Sequence, residues 1–217
     1  MTSHGSHPVV AREGWVHVGI AIVVAVLVSV IAGWIWALPL WIVVVFVVQF
    51  FRDPHRVIPE GAGMVVAPAD GRVVALGEAD DHYVNRRAQK ISIFMNVFSV
   101  HSNRSPVGGE IRGVWYHQGS FINAALDKAS VANERNAMWI RTEGGEDIIC
   151  VQVAGLIARR ILCYVSKDDR VERGQRYGFI RFGSRVDLYL PVLSDIRVRL
   201  GQTVRAGADT VALLPGT

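Results

Sequence analysis

Three stretches of this chain carry residues that could do covalent chemistry, and they lie far apart in sequence. Near the C-terminus, Arg181-Phe182-Gly183-Ser184-Arg185-Val186-Asp187 sets a glycine and a serine between two strand-like runs. Glycine reaches backbone angles closed to other residues. A hydroxyl directly after it stands beside the preceding carbonyl; attack there would cut the chain and modify residue 184. Gly-Ser alone is a common turn pair, so this reading needs support from elsewhere. The second stretch, Phe98-Ser99-Val100-His101-Ser102-Asn103-Arg104-Ser105-Pro106, follows an apolar run. Its histidine can serve as a general acid or base near neutral pH. The third, Pro68-Ala69-Asp70-Gly71, puts a carboxylate on a turn, where an Asx-turn is the plain alternative. Asn133-Glu134-Arg135-Asn136 reads as a solvated loop, and His55, His82 and His117 read as structural or solvated.

Short strands must position these groups. Beyond residue 60, apolar runs of strand length recur between glycines and prolines: Met64–Ala67, Arg72–Leu76, Ile91–Val97, Ile111–Tyr116, Met138–Thr142, Ile148–Val153, Leu156–Val165, Tyr177–Phe182, Val186–Leu190, Ile196–Leu200 and Val211–Leu214. That spacing predicts a mainly β, sandwich- or barrel-like domain. Phe121–Ala129 is the short-helix candidate, and no run is long enough for a βαβ crossover helix. Val171-Glu172-Arg173-Gly174-Gln175 echoes Val198-Arg199-Leu200-Gly201-Gln202. The pattern resembles turns of lipoyl-type hybrid sandwiches and bears on fold alone.

The chain is 51% hydrophobic over 217 residues, and the excess lies near the N-terminus. From Gly14 to Phe51 there is no formal charge, whereas a spanning helix needs only about 20 residues. Gly33 and Pro39 interrupt the run, with Trp34, Trp36 and Trp41 around the break. Tryptophan favours the lipid–water interface. The pattern predicts a membrane hairpin with arms near 16–33 and 39–51, spanning or re-entrant. Arg12 before it and Arg52 and Arg56 after it both favour the cytoplasm, which a hairpin satisfies and a single span does not. The domains are therefore expected as a flexible cytoplasmic tail over 1–13, the apolar hairpin over 14–51 and a β-rich domain over 52–217.

Net charge is +4, and the basic residues fall mostly outside the apolar run, which suits anionic lipid headgroups. No basic run is interleaved with aromatics, which argues against nucleic acid as a partner. Cys150 and Cys163 have no CxxC or Cys/His ligand spacing, so no metal is expected and both read as buried free thiols of a reducing compartment.

Taken in order, these motifs resemble the phosphatidylserine decarboxylase family in its short bacterial or archaeal form. The likeness runs from Phe50-Phe51-Arg52-Asp53-Pro54 through Ala67-Pro68-Ala69-Asp70-Gly71, Phe98–Pro106 and Asn133-Glu134-Arg135 to Arg181–Asp187. It implies a pyruvoyl-dependent carbon–carbon lyase made as a zymogen. Ser184 would attack the Gly183 carbonyl to give an ester. Loss of the Ser184 Cα proton would expel Gly183 as a carboxylate, and the resulting dehydroalanine would hydrolyse to pyruvoyl and ammonia. The products would be a β chain, 1–183, and an α chain, 184–217, held as a heterodimer; a larger homo-oligomer is left open. A Schiff base between phosphatidylserine and the pyruvoyl carbonyl would then take up the electron pair left by CO₂, yielding phosphatidylethanolamine at the inner membrane with the catalytic domain on the cytoplasmic side.

The resemblance also implies roles. His101 would return the proton to the substrate, and Asp70 with His101 would assist self-cleavage. Arg104, Phe121 and Asn123 are candidate substrate contacts. The long form of the family has a second histidine where this chain has Arg104, and arginine is a poor base. It also has Leu-Gly-Ser-Thr where this chain has Phe-Gly-Ser-Arg. A membrane-tethered lipoyl-like binding module is the alternative, but it leaves Gly183-Ser184, Asp70 and His101 unexplained. A serine hydrolase would need a G-x-S-x-G elbow, which is missing.

Overall fold

Gly33, at φ +91°, divides the apolar N-terminal run into two helices, α1 (Trp15–Ala32) and α2 (Trp34–Phe50). These belong to the computed structural model, which describes residues 8–124, 132–155, 160–181 and 183–216. The chain divides into two units, Met1–His55 and Arg56–Thr217. In the first unit, Ala25 and Ala37 are fully buried, and small residues there let helix backbones approach closely. Trp41 Nε1 donates to Ser29 Oγ at 3.3 Å, a polar link between the helices. Most other side chains of both helices face outward and are apolar. The 21-residue segment Arg12–Ala32 is long and apolar enough to cross a bilayer; Trp34–Phe50, at 17 residues, is shorter.

Two details differ from expectation. Pro39 lies inside α2 instead of opening it. It removes one backbone donor near the start of the helix, and Gly33 supplies the break. Part of the expected tail is also ordered: Ala11 N–H donates to Phe51 O and Asp53 N–H to Val9 O, both at 2.7 Å.

In the second unit, period-2 alternation builds one large antiparallel sheet with a face toward each of two apolar clusters. The strands in chain order are β1 (Met64–Val66), β2 (Gly71–Asp81), β3 (Arg86–Met95), β4 (Ser102–Arg104), β5 (Gly109–His117), β6 (Arg135–Arg141) and β7 (Asp147–Val153). They continue as β8 (Ile161–Cys163), β9 (Arg170–Val171), β10 (Arg176–Ile180), β11 (Ser184–Leu190), β12 (Asp195–Ile196), β13 (Thr203–Val204) and β14 (Thr210–Leu213). The eight-stranded sheet runs β13-β2-β3-β11-β7-β6-β5-β9, and two three-stranded sheets, β4-β10-β8 and β1-β14-β12, accompany it. Ile91, Ile93, Met95, Met138, Ile140, Val186 and Leu188 share the main core. Fully burying each such side chain contributes about 1.5–3 kcal/mol. The other face carries a smaller cluster around Ala88, Ala137, Ile149 and Tyr189.

The mainly β class and most of the expected strands are present. The additional strands β4, β9 and β13 are two or three residues long, too short for a readable alternation. The expected strand Leu156–Val165 shrinks to β8 where described, since 156–159 lie outside the described residues. Most of the Phe121–Ala129 helix candidate does too; residues 121–124 form no helix. Cys150 is buried as expected, but Cys163 is only partly buried.

Candidate active site

Ser184 is the first residue of β11, at the middle of the large sheet, between β3 and β7. It pairs in register with Met95, and by alternation it shares the core face with Val186 and Leu188. The side chain is fully buried, and among the described residues its Oγ has no hydrogen-bond partner. A buried hydroxyl left unpaired costs about 1–3 kcal/mol, so this position carries a penalty that a merely structural serine would shed. Gly183 before it sits at φ +61°, and a Cβ built there would meet nothing within 4 Å. Its requirement for glycine is therefore one of backbone angle.

Backbone hydrogen bonds and strand pairing link the three motifs of the sequence. The Ile180 amide donates to the His101 carbonyl at 3.2 Å, and β4 pairs with β10, Ser102 opposite Phe179. His101 is thereby fully buried beside the segment that leads into Gly183, with its ring 6.3 Å from that of Phe179. The Arg104 amide donates to the Pro68 carbonyl at 2.9 Å, which joins the histidine segment to the Asp70 turn. Arg72 pairs with Phe94, so Gly71 stands beside Met95 on the flank opposite Ser184. Two strand spacings, about 10 Å, thus separate the backbones of the Asp70 and Ser184 motifs. The Asp70 carboxylate receives both oxygens' bonds from Arg56, at 2.8 and 3.0 Å, and a third from the Ala206 amide at 2.7 Å. Arg56, which follows the apolar run in sequence, is thus an ion-pair partner inside the β domain.

Arg104 is buried, and its Nη1 donates to the Gly174 carbonyl at 3.2 Å. Its neighbour Asn103 ends a chain of buried amides. Asn136 Nδ2 donates to Gln152 Oε1 at 3.1 Å, and Gln152 Nε2 donates to Asn103 Oδ1 at 2.9 Å. That order leaves Asn103 Nδ2 directed at the thioether of Met95, 3.7 Å away, the residue that pairs with Ser184.

The solvated-loop reading of Asn133–Asn136 is overturned, because Asn133 and Asn136 are both buried. Asn133 Nδ2 donates to the carbonyls of Ile122 and Ala154, each at 2.7 Å, and its Oδ1 accepts from the Ile122 amide at 3.1 Å. The segment stands at the start of β6, inside the sheet, where polar side chains must find partners. Of the candidate contacts flanking it, Phe121 packs against the main core and Asn123 is exposed.

The opposite face of β11 carries a buried ion pair. Arg185 Nε lies 2.8 Å from Asp187 Oδ1, Nη2 lies 3.2 Å from Oδ2, and Nη1 donates to the Ala124 carbonyl at 2.8 Å. Lys90 approaches Asp187 at 3.5 Å. This side opens on a cavity of about 540 Å³ lined in part by Tyr83, Lys90, Trp115, His117 and Arg135. Residues 185 and 187, two apart on a strand, share a face; that spacing was the available signal for the pair.

The family model for phosphatidylserine decarboxylase matches residues 43–212. The chain is 58% identical to the phosphatidylserine decarboxylase proenzyme of Nitrosomonas europaea, over 97% of this chain and 98% of the relative. It is 60% identical to that of Nitrosomonas eutropha over the same shares, and 59% identical to that of Aromatoleum aromaticum over 99% and 100%. A match along nearly the whole length makes this chain a member of the phosphatidylserine decarboxylase family.

Proposed function

We propose that this protein decarboxylates phosphatidylserine to phosphatidylethanolamine after cutting itself between Gly183 and Ser184. One observation carries the reading: Ser184 Oγ is buried, and unpaired among the described residues, beside a glycine held at φ +61°. Most serines in a core would bond a nearby carbonyl. The electrophile adjacent to it along the chain is the carbonyl of the preceding peptide. Attack by Oγ, with transfer of its proton and departure of the Ser184 nitrogen as an amine, converts the peptide bond into an ester. Removal of the Ser184 Cα proton then breaks the Cβ–Oγ bond and releases Gly183 as a carboxylate. Water replaces the nitrogen at residue 184, which leaves as ammonia.

The residues present fit a pyruvoyl group at position 184, because the buried hydroxyl has no structural bond to lose when it is consumed. That group supplies a ketone that holds the substrate amine and takes up the electron pair as CO₂ departs. His101, buried beside Ile180, is the proposed proton donor to the substrate carbon. Asp70, tied to Arg56 and the Ala206 amide, orients the turn that abuts the histidine segment.

After the cut, the 184–217 chain stays in place through backbone pairing. β11 bonds to β3 over residues 184–190 and to β7 over 185–189, so a heterodimer is the expected product. The apolar helices support a membrane anchor, with the basic flanks Arg12 and Arg52 on the cytoplasmic side. Ser184→Ala tests the reading. It removes the nucleophile, so the chain should remain full length and release no CO₂ from phosphatidylserine vesicles. Normal CO₂ release from that variant would exclude the mechanism.

A further inference from the structure

A second glycine touches the bond that is cut. Gly155 follows β7 and is buried. Its φ lies outside the left-handed region, so its backbone is open to ordinary residues. Its requirement is space. A methyl group built on Gly155 would overlap the Gly183 carbonyl oxygen, approach that carbonyl's carbon to 2.6 Å, and meet Ala124 Cβ at 3.4 Å. Gly183 and Gly155 are thus glycines for two different reasons: the first for its backbone angle, the second because the scissile carbonyl lies against its Cα.

The wall behind that carbonyl is held on several sides. The Asn133 amide group donates to the Ala154 carbonyl, and the Ala154 amide donates to the Glu134 carbonyl at 2.9 Å. The same Asn133 amide group grips both polar groups of Ile122. Arg185, directly after Ser184, donates to the carbonyl of Ala124. Hydrogen bonds through Asn133 thus tie Ile122 and Ala154 together next to Gly155, which itself meets the Gly183 carbonyl.

We infer that Gly155 and Asn133 are positioning residues for self-cleavage: together they fix the direction of the Gly183 carbonyl relative to Ser184 Oγ. The inference rests on the reading that the chain cuts itself at this bond. Intramolecular attack depends steeply on the alignment of the reacting atoms. A displaced carbonyl slows formation of the ester itself, ahead of every later step.

The test follows processing of the full chain in detergent by denaturing gel, for wild type, Gly155→Ala, Asn133→Ser and Ser184→Ala, with and without hydroxylamine. Hydroxylamine cuts esters and spares amides, so it reports whether the ester has formed. Gly155→Ala should be processed about tenfold more slowly or worse, and hydroxylamine should yield no extra fragment. Asn133→Ser should slow processing in the same direction, again without a hydroxylamine-sensitive ester. Thermal unfolding of Gly155→Ala in the Ser184→Ala background, where no cut occurs, reports folding separately. If that chain lacks a cooperative transition, Asn133→Ser decides. Processing of the folded variants at the wild-type rate, or accumulation of a hydroxylamine-sensitive ester, overturns the inference. A cut in Ser184→Ala at the same bond would instead overturn the self-cleavage reading beneath it.

Discussion

Arg185→Met should destabilise the protein far more than a surface arginine would. Arg185 and Asp187 are each 1% exposed at the side chain; the guanidinium hydrogen-bonds the carboxylate through Nη2, lies 2.8 Å from it through Nε, and donates to the Ala124 carbonyl. Methionine keeps the apolar stem and removes the fork. Breaking a buried pair by deleting one partner costs about 3–5 kcal/mol, since the remaining charge is left in a poor solvent. Lys90, 3.5 Å from Asp187, stays behind and offsets part of that cost. The low end, about 3 kcal/mol, is therefore expected. For a chain of this size that is roughly 6–12 °C in Tm. Replacing both members, Arg185→Met with Asp187→Leu, removes the stranded charge and should recover most of the loss, to within about 1 kcal/mol of the parent. The assay is thermal unfolding in detergent by near-ultraviolet circular dichroism, in a Ser184→Ala background so that one uncut species is measured. A drop below about 2 °C in the single variant, or a double variant as unstable as the single, would refute the reasoning.

Two further outcomes follow from the structure. His101→Ala should lower turnover even when measured per cleaved chain, because the proton donor is lost; wild-type turnover in the cleaved fraction would remove His101 from that role. Burial pushes the Cys150 thiol up to about 12, although its contact with Tyr177 acts the other way, and burial also raises Cys163. The folded state thus favours the protonated thiols. Their contribution to stability is fully present below about pH 9 and is lost as pH rises toward 12. Since the thiolate is the nucleophile, Cys150 should resist iodoacetamide at pH 7.5 until the protein is unfolded; prompt labelling of the native chain would contradict its burial.

The order of motifs makes the family legible in the sequence alone, and apolar alternation locates the long strands. Other features were out of reach for physical reasons. Strand β4 is only three residues, all polar, and exists because Asn103 and its neighbours pair with β10. Asn133 and Asn136 look like loop residues in one dimension, since their partners, Ile122, Ala154 and Gln152, come from other segments. Arg56 lies beside a membrane-like run, and nothing local tells that its partner is Asp70. Gly155 is the sharpest case. A glycine that serves a conformation often sits in a recognisable turn, whereas one that leaves room for a distant carbonyl has no local signature. The Arg185–Asp187 spacing could be read from the strand period, but the burial that gives it weight could not.

The central claim is that residue 184 ceases to be a serine. Intact-mass and fragment analysis of protein taken from active membranes addresses it directly. The account predicts a 34-residue fragment, 184–217, lighter by one ammonia than the same peptide with an N-terminal serine and carrying a blocked ketone end. A single uncut chain of 23.9 kDa in fully active membranes, or a fragment that begins with an ordinary serine, would contradict it.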